Sequence, residues 1–119
     1  MVLLPFLFGC GTDSAAQKKK ATTLANLGNA MAAEGNTRGG LQKLLEAAQL
    51  DPDNEEIYQQ IALVFRSLGD YQLSLKYFRK ALEMKPRFPE ATNNMGTVYL
   101  LMGDWNKAIH CFKEAAEDI

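Results

Sequence analysis

The chain has one histidine and two cysteines, and two of these three side chains, which most often serve as base, nucleophile or metal ligand, are adjacent near the C-terminus. His110 is the only histidine among the 119 residues, and Cys111 follows it directly. Adjacent residues on a helix point about 100° apart, so this pair cannot act as base and nucleophile on each other. His110 and Glu114 have the i, i+4 spacing of a helical metal pair, but the sequence offers no second cluster of ligands. We therefore predict no catalytic residues, no metal site and no cofactor.

The glycine-rich stretches and the charge balance exclude two further kinds of site. Gly9-Cys10-Gly11 and Gly39-Gly40 lack the strand–loop–helix context of a phosphate-binding loop. Lys and Arg number 13 and Asp and Glu number 14, which gives a net charge of −1. Because binding to nucleic acid requires a concentrated basic surface, we expect no nucleic-acid partner.

The composition of the chain changes near residue 20. The first segment, residues 1–20, has an apolar start, a central cysteine and a polar stretch that ends in three lysines. Its longest apolar run, from Val2 to Phe8, is shorter than the ~18 residues that a membrane-spanning helix requires. From residue 21 to 119 the chain is periodic and rich in Ala and Leu. The predicted domains are residues 1–20, a signal-like apolar remnant followed by a polar tether, and residues 21–119, a periodic array.

The periodic part repeats itself at one fixed interval, and small residues align with small ones and large with large. Aligned sets are Leu27, Ile61 and Met95; Gly35, Gly69 and Gly103; Asn36, Asp70 and Asp104; Leu44, Phe78 and Phe112; Ala47, Ala81 and Ala115. The interval is 34 residues, and a fixed period of this length is the signature of a repeat architecture. We predict three units, at residues 21–54, 55–88 and 89–119.

Each unit has the capping and turn residues of two helices joined by a tight turn. Gly69 is predicted to turn the chain with positive φ after a first helix, and Asp70 and Asp104 to cap second helices. The second helices should end before Pro52 and Pro86, because the residue before a proline is displaced from helical geometry.

Residue size predicts where the helices of a unit pack together. Ala62, Gly96, Ala81 and Ala115 are small and are expected where two helices approach most closely. Trp105 is expected at a packing seam between helices. The predicted fold is an all-helical solenoid.

The three units resemble the tetratricopeptide repeat family. The third, PEATNNMGTVYLLMGDWNKAIHCFKEAAE, carries the motif best, followed by IYQQIALVFRSLGDYQLSLKYFRKALEMKP and the weaker LANLGNAMAAEGNTRGGLQKLLEAAQLDP. The resemblance implies an all-α, right-handed superhelical solenoid of three helix–turn–helix repeats. It also implies a non-catalytic scaffold that binds another protein in a concave groove lined by the first helix of each repeat.

The family's groove positions transfer to eleven residues of this chain as a peptide-binding site: Asn26, Asn29, Glu56, Gln59, Gln60, Leu63, Arg66, Glu90, Asn93, Asn94 and Thr97. Asn26, Gln60 and Asn94 share one register and form a predicted amide ladder. Amides donate and accept hydrogen bonds, as the backbone of an extended peptide does. The alternative is that these amides hold only helix ends and water. A clamp for a chaperone's C-terminal carboxylate is not expected, because two cations that it needs are absent from the corresponding positions and one of those positions is the acidic Glu90.

The chain stops at Ile119, inside the second helix of the third unit. We therefore expect Val98, Ile109, Phe112 and Ala116 to be partly exposed. Such an apolar patch indicates self-association through the uncapped C-terminal repeat, or a polypeptide cut from a longer array.

The N-terminal residues Leu7-Phe8-Gly9-Cys10 resemble the lipobox of bacterial lipoproteins, whose signal peptide is cleaved before a cysteine that becomes lipidated. Phe8 is large for its position, and no Lys or Arg precedes the apolar run. This resemblance implies a lipid anchor at Cys10, such as a palmitate-bearing diacyl group, in the outer membrane and facing the periplasm. The alternative is a cytoplasmic protein in which Cys10 is a free thiol.

Together these patterns favour an envelope-anchored scaffold that binds an extended peptide or helix and aids assembly of a membrane complex such as a pilus or secretion system. The alternatives are a cytosolic adaptor of the same fold and a self-assembling oligomeric scaffold.

Overall fold

The computed structural model describes the backbone of residues 3–119 and the side chains of residues 14–119. Its six helices are α1 (Leu3–Ala33), α2 (Thr37–Leu50), α3 (Glu55–Ser67), α4 (Tyr71–Met84), α5 (Pro89–Met102) and α6 (Trp105–Glu117). Within these residues there is no strand. The all-α fold class predicted from the repeats is confirmed.

The helices pack as three consecutive pairs, α1 with α2, α3 with α4 and α5 with α6. The second helix of each pair also packs against the first helix of the next pair, and the first helices α1, α3 and α5 lie side by side. The resulting stack is elongated, with principal extents of 58, 32 and 22 Å. This arrangement is the helical solenoid that the regular period of the sequence predicts.

The turn inside each pair has the geometry predicted from its glycine and its polar cap. Gly35, Gly69 and Gly103 have φ values of 98°, 79° and 80°, which L side chains rarely adopt. In the turn between α3 and α4, the Asp70 carboxylate accepts a hydrogen bond from the Leu73 N–H at 3.2 Å. The side chains of Asn36 and Asp104 cap α2 and α6 in the same way, at 3.0 and 3.2 Å.

The two helices of a pair touch at small residues. A Cβ atom placed on Gly40 of α2 would lie only 2.5 Å from the carbonyl oxygen of Gly28 in α1. In the second pair the same register is occupied by Ala62 and Ser74, and the buried Ser74 hydroxyl donates to the Ala62 carbonyl at 2.7 Å. Small residues at these positions allow the two helices of a pair to cross closely.

The C-terminal pair differs from the sequence prediction at two side chains. Val98 was expected to be partly exposed but is fully buried, because α5 is packed against both α4 and α6. Trp105 was expected at a packing seam but is 66% exposed, because no described helix packs over the start of α6. Ile109 and Ala116 are exposed and Phe112 is half-buried, as predicted.

The N-terminal segment is described in part. Residues 14–20, which belong to the predicted polar tether, continue α1 and have exposed side chains. The lipidation prediction at Cys10 lies outside the residues whose side chains are described. None of the helices in the described part of the chain is long and apolar enough to cross a bilayer.

Candidate binding groove

Two adjoining cavities lie between the first helices of the first two pairs, α1 and α3. One, of about 250 Å³, is lined by Thr22, Ala25, Asn26, Asn29, Asn54, Glu56, Ile57 and Gln60. The other, of about 300 Å³, is lined by Asn29, Ala32, Ala33, Thr37, Gln60, Leu63, Val64 and Ser67. Because both include Asn29 and Gln60, they form a single depression, which we call the α1/α3 groove.

Matching stripes of α1 and α3 form the two walls of this groove. The stripe on α3 is Glu56, Gln60, Leu63 and Ser67, and the stripe on α1 is Thr22, Asn26, Asn29 and Ala33. Spacings of three and four residues keep the side chains of a stripe on one face of a helix. Each member of one stripe lies one full repeat away from its counterpart in the other. The groove is thus a direct product of the repeat.

Hydrogen bonds hold the polar end of the groove in place. Asn54 caps α3, and its side-chain oxygen accepts from the N–H groups of Glu56 and Ile57 at 3.1 and 3.4 Å. Its amide nitrogen donates to the Asp51 carboxylate at 3.1 Å. The Glu56 Oε1 atom in turn accepts from Gln60 Nε2 at 3.0 Å. These hydrogen bonds orient the side chains of Asn54, Glu56 and Gln60 at this end.

Gln59 is the one predicted groove residue that the structure removes from the surface. Its side chain is fully buried, and its Nε2 donates to Glu56 Oε1 at 3.3 Å. One residue before Gln60, it points about 100° away from the groove stripe and into the helix stack. Ala25, in the same register on α1, is buried but small and lines the cavity, and Asn93 on α5 is exposed, so the repeat pattern gave no signal that Gln59 would be buried.

The predicted groove residues divide into those that the α1/α3 groove brings together and those that lie elsewhere. Asn26, Asn29, Glu56, Gln60 and Leu63 line the groove.

On α5, Asn94 and Thr97 are half-buried and continue the stripe pattern. Glu90 and Asn93 line a separate cavity of about 450 Å³ beside α6. Arg66 is half-buried on α3 and is not among the residues that line either groove cavity.

Sequence reasoning missed several lining residues, among them Asn54 and Ser67. Ser67 lies four residues after Leu63, so extending the α3 stripe by one turn would have found it. Asn54 precedes α3, and its contribution depends on the direction in which the cap enters the helix, which the repeat pattern does not encode.

The predicted amide ladder has free hydrogen-bonding groups. The side chains of Asn26 and Asn94 form no hydrogen bond with residues 14–119, and Gln60 uses only its amide nitrogen, toward Glu56. The carbonyl oxygen of Gln60 therefore has no partner in that range. That this ladder binds a peptide backbone stays a prediction.

The side chains singled out for chemistry lie on another surface. His110 and Cys111 line a cavity of about 400 Å³ between α5 and α6. Cys111 is buried, and burial, followed by the nearby Glu114 carboxylate, raises the pKa of its thiol. The His110 Nε2 atom lies 3.6 Å from Glu114 Oε2, and within the described residues no group of three candidate ligands could hold a metal.

Comparison with known families identifies the repeats. Two family profiles, each described as tetratricopeptide repeat, match residues 55–88 and 77–110. The first match has the same bounds as the second unit predicted from the period.

Among curated proteins, the chain is similar to proteins named photosystem I assembly protein Ycf3. That of Cyanophora paradoxa is 35% identical over 89 residues, covering 72% of this chain and 51% of the relative. Those of Dioscorea elephantipes and Sorghum bicolor are 36% and 37% identical over 112 residues, covering 84% of this chain and 65% of each relative. The chain thus spans about half to two thirds of the length of these relatives.

Solved structures share the fold. A crystal structure of MamA has a TM-score of 0.78 at 25% identity, covering 85% of this chain and 59% of that one. The first repeat domain of Spaghetti (RPAP3), solved with the HSP90 peptide SRMEEVD, has a TM-score of 0.80 and covers 85% of this chain and 80% of that one. Its identity of 16% shows likeness in fold alone.

Proposed function

Because the chain belongs to the tetratricopeptide repeat family, whose fold serves as a scaffold for protein–protein interaction, we propose that it is a non-catalytic adaptor. Its binding site is the α1/α3 groove, and its ligand is an extended segment of another protein. The observation that carries this proposal is the pair of matching stripes on α1 and α3, which flank two adjoining open cavities lined in part by the amides of Asn26, Asn29 and Gln60.

The free amides favour an extended segment over a helix. An extended peptide presents backbone N–H and C=O groups that have no internal partner, whereas a helix satisfies most of its own. Asn26 and Gln60, one on each wall, can donate to or accept from such a backbone. A helix in the groove would leave these amides with little to bind.

The names of the curated relatives support an adaptor that acts during the assembly of a larger complex. The Ycf3 proteins are named for photosystem I assembly. By analogy, the client of this chain is a protein subunit that is held by an exposed segment until it joins its complex. An adaptor of this kind requires no lipid anchor, so the names favour the adaptor over the envelope-anchored alternative.

Two sequence-based predictions remain beside this proposal. The lipid anchor depends only on the lipobox-like residues that end at Cys10, and loss of palmitate labelling in Cys10→Ala would test it in a bacterial host. Self-association depends on exposed apolar side chains of α6 such as Ile109, and a mass that rises with concentration in light scattering would support it.

Selection of short random peptides displayed on phage tests the groove. For peptides selected on the wild type, we expect Asn26→Ala/Gln60→Ala to weaken binding about tenfold, because two hydrogen bonds of ordinary strength are lost. The matched control is Gln42→Ala/Gln72→Ala, which removes two exposed amides from the second helices α2 and α4. Equal affinity of the groove variant and the control would place the binding site elsewhere.

A further inference from the structure

The α1/α3 groove has two chemically different ends. Around Glu56 it presents a carboxylate, with Asn26, Asn54 and Gln60 as neighbours. Around Leu63 it presents aliphatic side chains, Ala32, Ala33 and Val64, beside the neutral polar side chains of Thr37 and Ser67. A peptide that runs along the groove therefore meets the Glu56 carboxylate at one end and the Leu63 side chain at the other.

Glu56 is the only charged side chain among the residues that line these two cavities. Two amides, those of Gln59 and Gln60, donate to its Oε1 atom at 3.3 and 3.0 Å. Its Oε2 atom has no hydrogen-bond or ion-pair partner among residues 14–119. The carboxylate is therefore oriented by its neighbours and its charge is not neutralised within the described structure.

The orientation of the Gln60 amide also favours a basic side chain as the ligand of this cavity. Because its amide nitrogen donates to Glu56, its carbonyl oxygen is left as an acceptor in the same cavity. The Lys ammonium has three donors and the Arg guanidinium has five, and neither accepts. A basic side chain complements this arrangement, whereas an acidic side chain would face Glu56 with like charge.

The distance between the two ends fits an extended peptide. Seven residues separate Glu56 from Leu63, which at 1.5 Å per residue is about 10 Å along α3. An extended peptide rises about 3.3 Å per residue, and a Lys or Arg side chain can bend toward the carboxylate. Side chains two to four residues apart would reach both ends.

We propose that the α1/α3 groove selects an extended segment in which Lys or Arg pairs with Glu56 and an apolar side chain, two to four residues away, packs on Leu63. The inference rests on the proposed function and specifies the chemistry of the ligand in that same groove. It distinguishes this groove from one that captures an acidic tail.

A positional-scanning library of peptides, acetylated and amidated at their ends, tests the proposal against purified wild type and Glu56→Gln. The wild type should enrich Lys or Arg at one position and Leu, Ile, Val or Met two to four residues away. Glu56→Gln should bind the best basic peptide about five- to tenfold more weakly and lose the basic preference, while keeping the apolar one. This difference should shrink as NaCl is added, since salt screens the pair.

Glu55→Gln is the matched control, because Glu55 also lies in the first turn of α3 but does not line the groove. It loses the same charge near the helix N-terminus, so the loss of that charge alone is controlled for, and only Glu56→Gln should change selection. Glu56→Lys provides a second variant. It should reverse the preference, so that peptides with Asp or Glu at the selected position bind better than those with Lys or Arg.

The outcomes separate this inference from the proposed function. If Asn26→Ala/Gln60→Ala weakens the selected peptides but the wild type shows no preference for Lys or Arg, the groove binds peptides and the role of Glu56 is wrong. Basic selection that survives Glu56→Gln leads to the same conclusion. If no peptide is enriched, or none is weakened by the double variant, both proposals are overturned.

Discussion

Substitution of Gly40 by alanine tests whether the first helix pair depends on backbone contact between α1 and α2. A Cβ atom at Gly40 would lie 2.5 Å from the Gly28 carbonyl oxygen and 3.0 Å from both the backbone nitrogen and the Cβ of Ala32. Backbone atoms inside a helix cannot rotate away, so the two helices would have to separate. A gap of roughly 0.5–1 Å removes a quarter to a half of the dispersion energy of each contact at the crossing.

The expected magnitude is the difference between two opposing effects. Alanine is favoured over glycine within a helix by about 1 kcal/mol. Overpacking at a close contact costs about 1–3 kcal/mol, and the upper part of that range applies because the clash at Gly40 is with backbone. We therefore expect Gly40→Ala to lower the free energy of unfolding by about 1–2 kcal/mol, and the melting temperature by roughly 5–10 °C.

Gly96→Ala is the matched control for this experiment. A Cβ at Gly96 would lie 2.7 Å from the ring of Phe112, a half-buried side chain that can turn toward solvent, and 3.1 Å from the Cys111 Cβ. The gain in helix propensity should offset this smaller cost, leaving stability within about 0.5 kcal/mol of the wild type. Thermal and urea unfolding followed by circular dichroism would measure both variants. If Gly40→Ala is as stable as the wild type, or Gly96→Ala is the more damaging change, the packing argument is refuted.

Three further outcomes follow from individual side chains. Ser74→Ala should lower the free energy of unfolding in urea by about 1 kcal/mol, since it removes a buried hydrogen bond. Ser67→Ala is the control, because its hydroxyl is exposed, and it should change the free energy of unfolding by less than about 0.5 kcal/mol. Equal losses in the two variants would contradict a stabilising role for the buried Ser74 hydrogen bond. In a Cys10→Ala background, native Cys111 should react slowly with a thiol reagent near neutral pH, because burial raises the pKa of the thiol and keeps it protonated. Its rate should rise with pH and on unfolding in urea, and rapid native labelling at neutral pH would show that the thiol is accessible. Trp105 should be quenched by acrylamide almost as strongly in the folded as in the unfolded protein, since it is 66% exposed, and strong protection would place it in a packing seam.

The fold could be predicted because the residues that determine it are restricted in type. A positive φ requires glycine at Gly69, a helix cap favours the short acid Asp70, and a close crossing excludes large side chains at Gly28 and Gly40. Each of these restrictions recurs once in every repeat, so the pattern survives even where one repeat departs from the others.

The groove could be predicted only in part, because surface residues are less restricted. Gln59 and Gln60 are the same residue type on consecutive positions, yet one is fully buried and the other lines the groove. Val98 and Trp105 show the same limit at the C-terminal pair, where burial depends on which neighbouring helix covers each position. Whether such a side chain is buried depends on the angle at which each helix pair packs against the next. Residue type alone does not determine that angle.

The freedom of the groove positions is itself informative about the ligand. One row across the three first helices keeps an amide in every repeat, whereas the rows on either side of it change in size and charge. The amide row is Asn26, Gln60 and Asn94; the flanking rows are Thr22, Glu56 and Glu90, and Asn29, Leu63 and Thr97. Where an extended peptide crosses this row, the amides can bind its backbone whatever its sequence, while its side chains on either side meet rows that differ. In the proposed complex the amides bind the peptide backbone, and Glu56 and Leu63 select its side chains.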